Sequence, residues 1–110
     1  MATQTLNTSE YEEKIINQTG WSLLDFWRDD CTPCKNLSAE LEVVSRERPA
    51  INIYKVNVED GSELAEKLRV MAAPTLFFFK DGEIKKKTIG YKSASSILQV
   101  IDDADTGKEN

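Results

Sequence analysis

Short apolar runs alternate with segments of helical periodicity along most of this chain, and this alternation limits the folds open to it. Residues 21–27 and 75–79 are largely apolar and residues 51–58 are rich in β-branched side chains, so each segment predicts a strand. Helices are predicted between them, one over residues 62–69 and one from apolar side chains at helical spacing. That spacing is set by Cys34, Leu37, Leu41 and Val44. Strands that alternate with helices favour parallel pairing.

The dipeptide Asp81-Gly82 is the strongest short hairpin signal in the chain. It adds an antiparallel strand over residues 83–89 at the edge of the sheet. We therefore expect one α/β domain over residues 1–110, with a central mixed β-sheet flanked by helices on both faces. We interpret the Lys85-Lys86-Lys87 run as protection of the edge strand against aggregation rather than as a binding patch.

Helices are also expected at both ends of the chain. Ser9 and Glu12 predict a capping box for a first helix, which Gly20 ends. A last helix is expected from about Ser93, because apolar residues recur after it at helical spacing. The polar tail over about residues 103–110 is expected to fray.

The composition excludes several classes of chemistry. The chain has 110 residues and no histidine, which removes Ser-His-Asp and Cys-His catalysis and every histidine-containing metal site. Its two cysteines exclude a four-cysteine zinc or iron–sulfur cage. The net charge of -5 disfavours nucleic-acid binding, and the chain contains no run of about 20 apolar residues that could span a membrane. The N-terminus lacks the basic and apolar regions of a secretory signal, so we expect a cytoplasmic protein. We also expect a monomer that holds no metal.

The segment Cys31-Thr32-Pro33-Cys34 is the motif best suited to chemistry. It lies where the predicted strand ending at Trp27 passes into a helix. The free N–H groups and the dipole of a helix start stabilise a thiolate, which is the nucleophile in disulfide exchange. Because Cys34 lies about one turn further along the same face, it can attack a mixed disulfide held by Cys31.

Other interpretations of the cysteine pair remain open at this point. One is a zinc half-site completed by carboxylates or by a second chain, and another is a redox-inert pair kept for packing. A C-x-x-C motif beside a strand–helix–strand pattern favours a redox site. Asp29 and Asp30 directly precede the motif, so either is expected to cap the helix, and both place negative charge near the Cys31 sulfur.

Asp25 and Lys55 place charges inside two of the predicted strands. Lys55 shares side-chain parity with Ile51 and Ile53, so the two charges are expected to meet if their strands are neighbours. Burial would raise the pKa of Asp25 and allow it to exchange a proton with Cys34. The alternative is a solvent-facing bend or a strand edge, where neither charge needs a partner.

Several segments of the sequence resemble the thioredoxin family, and the similarity extends over nearly the whole chain. Those segments are Asp25-Phe26-Trp27, Cys31-Thr32-Pro33-Cys34-Lys35, Lys55-Val56-Asn57-Val58, Ala73-Pro74-Thr75-Leu76, Phe79-Lys80-Asp81-Gly82 and Ile89-Gly90. The resemblance implies a thioredoxin fold in which Cys31 is the attacking cysteine and Cys34 the resolving one. It further implies that Asp25 and Lys55 assist proton transfer.

The resemblance also implies partners and a substrate-binding surface. The substrates would be disulfide-containing proteins, and the usual electron donor of the family is thioredoxin reductase, an NADPH-dependent flavoenzyme. No cofactor beyond the Cys31–Cys34 couple is implied. Pro74 would be in cis opposite the cysteines, Ala73 would present its backbone to the substrate, and Gly90 would complete the groove. The implied substrate-binding residues are Trp27, Asp30, Thr32, Pro33, Ala73, Pro74 and Gly90.

Four positions depart from the pattern of the family. Asp30 stands where Trp is usual, Thr32 where Gly is usual, and Ala73 where Ile or Val is usual. Ala39 replaces a proline that usually kinks the long helix, so this helix is expected to be straighter.

We expect a thiol–disulfide oxidoreductase of the kind that the resemblance implies, and two rival functions stay open. Asp30 and Ala73 favour a thioredoxin-fold interaction or chaperone module with little turnover. The other rival is a glutaredoxin-like reductant that uses glutathione, against which Asp25, Lys55 and the Cys-Thr-Pro-Cys motif argue.

Overall fold

The strands of this protein form a five-stranded mixed sheet, seen in a computed structural model that describes residues 3–107. The strands are β1 (Gln4–Thr5), β2 (Trp21–Trp27), β3 (Asn52–Asn57), β4 (Thr75–Lys80) and β5 (Glu83–Ile89). The longer helices are α1 (Thr32–Glu47), α2 (Ser62–Lys67) and α3 (Ala94–Thr106). A 3₁₀ turn (Thr8–Glu10) and a π-helical turn (Glu12–Ile16) precede β2. The predicted strands and the three longer helices are thereby confirmed.

The order of the strands is β1-β3-β2-β4-β5, which places β2 at the centre of the sheet. β2 is parallel to β3, as expected, but antiparallel to β4, so the prediction of parallel pairing for β4 was wrong. The alternation of strands and helices does not fix the direction of β4, because α2 is followed by a loop over residues 68–74. A helix with such a loop can bring the chain back to either end of the neighbouring strand. β5 pairs with β4 as an exposed edge strand, the place assumed for the lysine run.

Two apolar clusters hold the helices on opposite faces of the sheet, which confirms the predicted layers. One cluster joins Leu23 of β2 to α1 and α3, and the other joins Phe26 of β2 to α2 and the N-terminal turns. Successive side chains of a strand point to opposite faces, so β2 contributes alternately to both clusters. Asp25 has the parity of Leu23 and therefore faces α1.

The N-terminal segment differs from the prediction in two ways. The capping box is formed by Asn7 and Glu10 rather than by Ser9 and Glu12, because the Asn7 side chain accepts a hydrogen bond from the Ser9 N–H at 3.0 Å. The helical turns end at Ile16 instead of continuing to Gly20. Strand β1 was not predicted, because two exposed polar residues carry no strand pattern and form a strand only by pairing with β3.

The C-terminal helix is longer than predicted. α3 continues to Thr106, so the expectation of a frayed tail was wrong for residues 103–106, whereas residues 108–110 lie outside the described part. Asp105 accepts hydrogen bonds from Trp21 Nε1 at 3.0 Å and from Lys80 Nζ at 2.8 Å. These contacts tie the last turn of the helix to the sheet, and they could not be read from the polar composition of the tail. No helix among residues 3–107 has the length and apolar character needed to cross a membrane.

The hairpin turn provides a test of the packing between the sheet and the N-terminal turns. Gly82 has a φ of 81°, and a Cβ atom there would collide with the backbone carbonyl of Ile16. Gly20 has a φ of 79°, but a Cβ atom there would meet nothing within 4 Å. We expect Gly20→Ala to destabilise the fold by about 1 kcal/mol from the left-handed backbone alone. Gly82→Ala should cost about 2 kcal/mol more, because the backbone must also shift. Urea unfolding of both variants checks this, and equal losses would contradict it.

Candidate active site

Cys31 and Cys34 form a disulfide at the start of α1. Cys31 is the N-cap residue of this helix, and its Sγ accepts a hydrogen bond from the backbone N–H of Cys34 at 3.2 Å. The expectation that Asp29 or Asp30 caps the helix was therefore wrong. Asp30 adopts a φ of 55°, which belongs to the turn before the helix rather than to a cap. The free N–H groups of the helix start are thus directed at sulfur, where they stabilise a thiolate.

The two cysteines differ in position along the helix but hardly in exposure. Cys31 is 4% exposed and Cys34 is 3% exposed, so exposure of the whole residue does not separate an attacking from a resolving sulfur. Thr32 and Pro33 between them are exposed on the first turn. The two sulfurs differ in their contact with the helix start, because Cys31 Sγ accepts a hydrogen bond from the backbone N–H of Cys34.

A loop from the other half of the chain lies beside the disulfide. The Ala73–Pro74 peptide bond is cis, and the Ala73 carbonyl oxygen is 3.9 Å from Cys31 Sγ. The Gly90 N–H donates to the Pro74 carbonyl oxygen at 2.9 Å, which ties the end of β5 to this loop. Cys31 Sγ and the Ala73 carbonyl oxygen thus lie together although they are 42 residues apart in sequence, and a hydrogen bond joins Gly90 to the adjacent Pro74.

Asp25 lies in the central strand and is completely buried. Neither oxygen of its carboxyl group has a hydrogen-bond partner within the described part of the protein. Burial raises the pKa of Asp25 to about 7, and the positive charge of Lys55 lowers it only in part. The expected rise of this pKa is confirmed, and the alternative of a solvent-facing bend is excluded by the burial.

Lys55 is the in-register neighbour of Asp25 on β3, but it forms its hydrogen bond elsewhere. Its Nζ donates to Ser38 Oγ of α1 at 2.8 Å. The expected meeting of the two charges is thus only an electrostatic effect across the strands, without a direct hydrogen bond. Asp25, Cys34, Ser38 and Lys55 line one cavity of about 210 Å³, together with Trp27 and the turn that contains Asp30.

Sequence reasoning missed two features of this region. Ser38 follows Cys34 by four residues, so helical spacing could have placed it on the same face. Three large apolar side chains are exposed close in sequence to Pro74 and Gly90: Met71 is 88% exposed, Ile89 is 62% exposed and Tyr91 is 51% exposed. Ile89 pairs with Thr75 of β4, directly after Pro74, and this pairing could not be read from the local sequence.

The structure offers little support for a metal at the cysteines. Across residues 3–107, no three Cys, Asp or Glu side chains are grouped so that they could hold an ion. A zinc half-site would therefore lack its third ligand within this part of the chain.

Comparisons with known proteins agree with the geometry. The family model described as Thioredoxin matches residues 2–103. Thioredoxin of Staphylococcus saprophyticus is 35% identical over 103 residues, which is 93% of this chain and 97% of that protein. Thioredoxin of Chlamydia trachomatis is 33% identical over 98 residues, covering 89% of this chain and 94% of that protein.

A solved structure is similar over a comparable length. It comes from work on the thiol resolving mechanism in yeast mitochondrial 1-Cys peroxiredoxin via glutathione/thioredoxin systems. Its chain superposes with a TM-score of 0.80 at 26% sequence identity, covering 93% of this chain and 94% of that one. With the family model, this match confirms the fold implied by the sequence resemblance.

Burial of Asp25 should make stability depend on pH. The pKa is about 7 in the folded protein and about 3.9 in an unfolded chain, so between these values only the folded state retains the proton. The free energy of unfolding of the oxidised protein should fall as pH rises from 4 to 7 and stay low above that. Asp25→Ala removes this loss, so its stabilisation relative to wild type should be larger at pH 8 than at pH 4 by on the order of 4 kcal/mol, since each pKa unit is worth about 1.36 kcal/mol.

Urea unfolding from pH 4 to pH 8 measures this difference. Asp25→Asn is the control for side-chain volume, because it keeps the shape of aspartate and cannot ionise. Its stability should also lose the fall between pH 4 and pH 7. Parallel pH profiles for wild type and both variants would show that Asp25 is not the group responsible.

The charge of Asp30 should affect the adjacent sulfur. Asn tolerates the left-handed backbone of this position as well as Asp does, and Asp30 is not the helix cap, so Asp30→Asn should leave stability nearly unchanged. Loss of the negative charge should lower the pKa of Cys31 in the reduced protein by roughly a few tenths to one unit, since Asp30 is exposed and its charge is screened by solvent. Thiolate absorbance against pH measures the shift, and an unchanged or higher pKa of Cys31 would refute it.

Proposed function

Because this chain belongs to the thioredoxin family and is a thiol–disulfide oxidoreductase of the thioredoxin type, we propose that its Cys31–Cys34 couple reduces disulfides of other proteins. The observation that carries the proposal is the position of this pair. The disulfide lies at the N-terminus of a 16-residue helix, with the Ala73 carbonyl oxygen 3.9 Å from Cys31 Sγ. That arrangement supplies a helix start that stabilises a thiolate and, beside it, the backbone carbonyl of the half-buried Ala73, which can pair with an extended substrate.

The reaction proceeds in two exchanges. The Cys31 thiolate attacks one sulfur of the substrate disulfide, a Cys31–substrate disulfide forms, and the released substrate thiolate takes up a proton. Cys34 then loses its proton and attacks Cys31 Sγ, which breaks the mixed disulfide and releases the second substrate sulfur as a thiolate that takes up a proton from solvent. Two electrons have passed to the substrate, and the protein is left with the Cys31–Cys34 disulfide of this structure.

Asp25 accepts the Cys34 proton in the second exchange. Its raised pKa of about 7 supports this role, because a carboxyl group with that value exchanges protons readily near neutral pH. Asp25 and Cys34 line the same cavity, which provides a short route for the proton. Lys55 assists through its positive charge, which partly offsets the cost of the buried carboxylate.

The substrates are held at the groove beside the disulfide. The surface consists of Trp27, Asp30, Thr32, Pro33, Ala73, Pro74 and Gly90. Met71, Ile89 and Tyr91 are exposed and lie within three residues of Pro74 or Gly90 in sequence, and such exposed apolar side chains support a protein substrate. The electron donor is a thioredoxin reductase, which the family membership supports.

The protein needs no cofactor besides its cysteine pair, and it acts as a monomer in the cytoplasm. Thiol–disulfide exchange requires only the two sulfurs and a proton acceptor, and these are supplied by Cys31, Cys34 and Asp25. A reductant of protein disulfides fits a compartment whose thiols are kept reduced.

Reduction of insulin disulfides, driven by a small dithiol, tests the function. Wild type should accelerate the reduction, and Cys31→Ser should not. A glutathione-dependent reaction without turnover by dithiol would instead support the glutaredoxin-like alternative. Failure of wild type to accelerate the reduction would favour an interaction module with low turnover.

The roles of the two cysteines can be tested with the same substrate. Cys34→Ser cannot carry out the second exchange, so it should accumulate a stable mixed disulfide between Cys31 and the substrate. Mass spectrometry of the adduct identifies the bonded cysteine. The matched Cys31→Ser variant should form much less adduct, and a stable adduct through Cys34 in that variant would reverse the assigned roles.

A further inference from the structure

Ser38 connects the active-site helix to the lysine beside Asp25. It lies on α1 one turn after Cys34, and its Oγ accepts a hydrogen bond from Lys55 Nζ at 2.8 Å. Ser38 also lines the cavity shared by Asp25 and Cys34. The Ser38 hydroxyl is therefore the side-chain hydrogen-bond partner of the lysine ammonium.

The ammonium has an obvious competing partner. Asp25 and Lys55 are paired in register on the parallel strands β2 and β3, so their side chains leave the same face of the sheet at neighbouring positions. A buried carboxylate is normally paired, because an unpaired one is costly in a low-dielectric interior. Both oxygens of Asp25 nevertheless lack a protein partner, while the lysine bonds to Ser38.

We propose that Ser38 is a positioning residue, which holds the Lys55 ammonium away from the Asp25 carboxyl and so keeps that carboxyl free to take the Cys34 proton. This inference rests on the proposed role of Asp25. Ser38 is assigned no contact with the substrate or the sulfurs, and it acts only through Lys55.

The physical reason is the strength of a direct contact between the charges. An opposite charge within about 4–6 Å lowers the pKa of a carboxyl by roughly 1–3 units. A direct Lys55–Asp25 pair would hold the carboxylate ionised at neutral pH, and an ionised pair accepts a proton poorly. With the ammonium at Ser38, burial dominates and the pKa of Asp25 stays near 7.

Other charged or titratable groups around the cavity are further candidates for shifting the pKa of Asp25. α1 contributes Lys35 and the Cys34 sulfur, and the loop before it contributes Arg28, Asp29 and Asp30. β4 pairs with Asp25 through Leu76 and adds no charge there. Lys55 is the charge that acts on Asp25 most directly, since it alone is paired with Asp25 across the strands.

Carboxyl NMR titration of the oxidised protein tests the proposal without interference from the Cys34 thiol. Ser38→Ala should release Lys55 toward Asp25 and lower the pKa of Asp25 by about one unit or more. Ser38→Thr keeps the hydroxyl and should leave this pKa close to that of wild type. Ala is a good helix former, so loss of α1 is not the expected effect. An unchanged or higher pKa of Asp25 in Ser38→Ala would overturn the proposal.

A double variant shows whether the effect passes through the lysine. Lys55→Met removes the ammonium and should raise the pKa of Asp25. Adding Ser38→Ala to this background should then change nothing further, since the serine has no charge left to position. An equal fall of the pKa of Asp25 in both backgrounds would mean that Ser38 acts by another route and would overturn the proposal.

The rate of mixed-disulfide resolution separates this inference from the proposed function. Ser38→Ala should slow resolution near pH 7 and move its pH profile downward with the pKa of Asp25. Asp25→Ala should slow it regardless of residue 38. If Asp25→Ala resolves as fast as wild type, the proton-acceptor role fails even where the NMR shifts in Ser38→Ala are as expected. If Asp25→Ala is slow and Ser38→Ala shows neither the shift nor the slower rate, the fault lies with the Ser38 proposal alone.

Discussion

The active site depends on the desolvation of one carboxyl group. Asp25 is fully buried in the central strand of the sheet, and its oxygens have no protein hydrogen-bond partner. Such a group favours its neutral form, so its pKa rises into the range where small changes in the surroundings decide its charge. Burial raises the pKa of Asp25, and the positive charge of Lys55 lowers it in part.

The rest of the fold makes such a group tolerable. The apolar clusters on both faces of the sheet provide burial that does not depend on Asp25. β2 contributes buried side chains to both clusters, so the strand that holds the unfavourable charge is packed on both faces. Stability is reduced at one position of a rigid element, and the same rigidity keeps the carboxyl close to the cysteine at the start of α1.

The proposed chemistry and the proposed partner surface lie in different layers of the site. The residues proposed to take part in proton transfer are buried or half-buried beneath α1, whereas Asp30 and Thr32, which depart from the family pattern, are exposed. Ala73, the third such departure, lies beside the disulfide through its backbone carbonyl oxygen, which is 3.9 Å from Cys31 Sγ. The reaction can therefore be retained while the surface that meets partners changes. Ala39 belongs to neither layer, and α1 runs without a break from Thr32 to Glu47 where a proline would have interrupted it.

Local sequence determined much of this protein. The strand Trp21–Trp27, the helix that begins at the cysteine motif and the Asp81-Gly82 hairpin were all predicted, because each depends on residues that are close along the chain. The apolar neighbours of Asp25 favoured its burial, and the parity of Lys55 predicted that the two charges share a face if their strands are neighbours, which the pairing of β2 with β3 confirms. Tertiary structure decided the direction of β4, the helical state of residues 103–106 and the partner of Lys55. Each of these depends on contacts between elements distant in sequence, and a side chain that has two partners within reach, as Lys55 has in Asp25 and Ser38, is assigned to one of them only when the helix and the sheet are packed together.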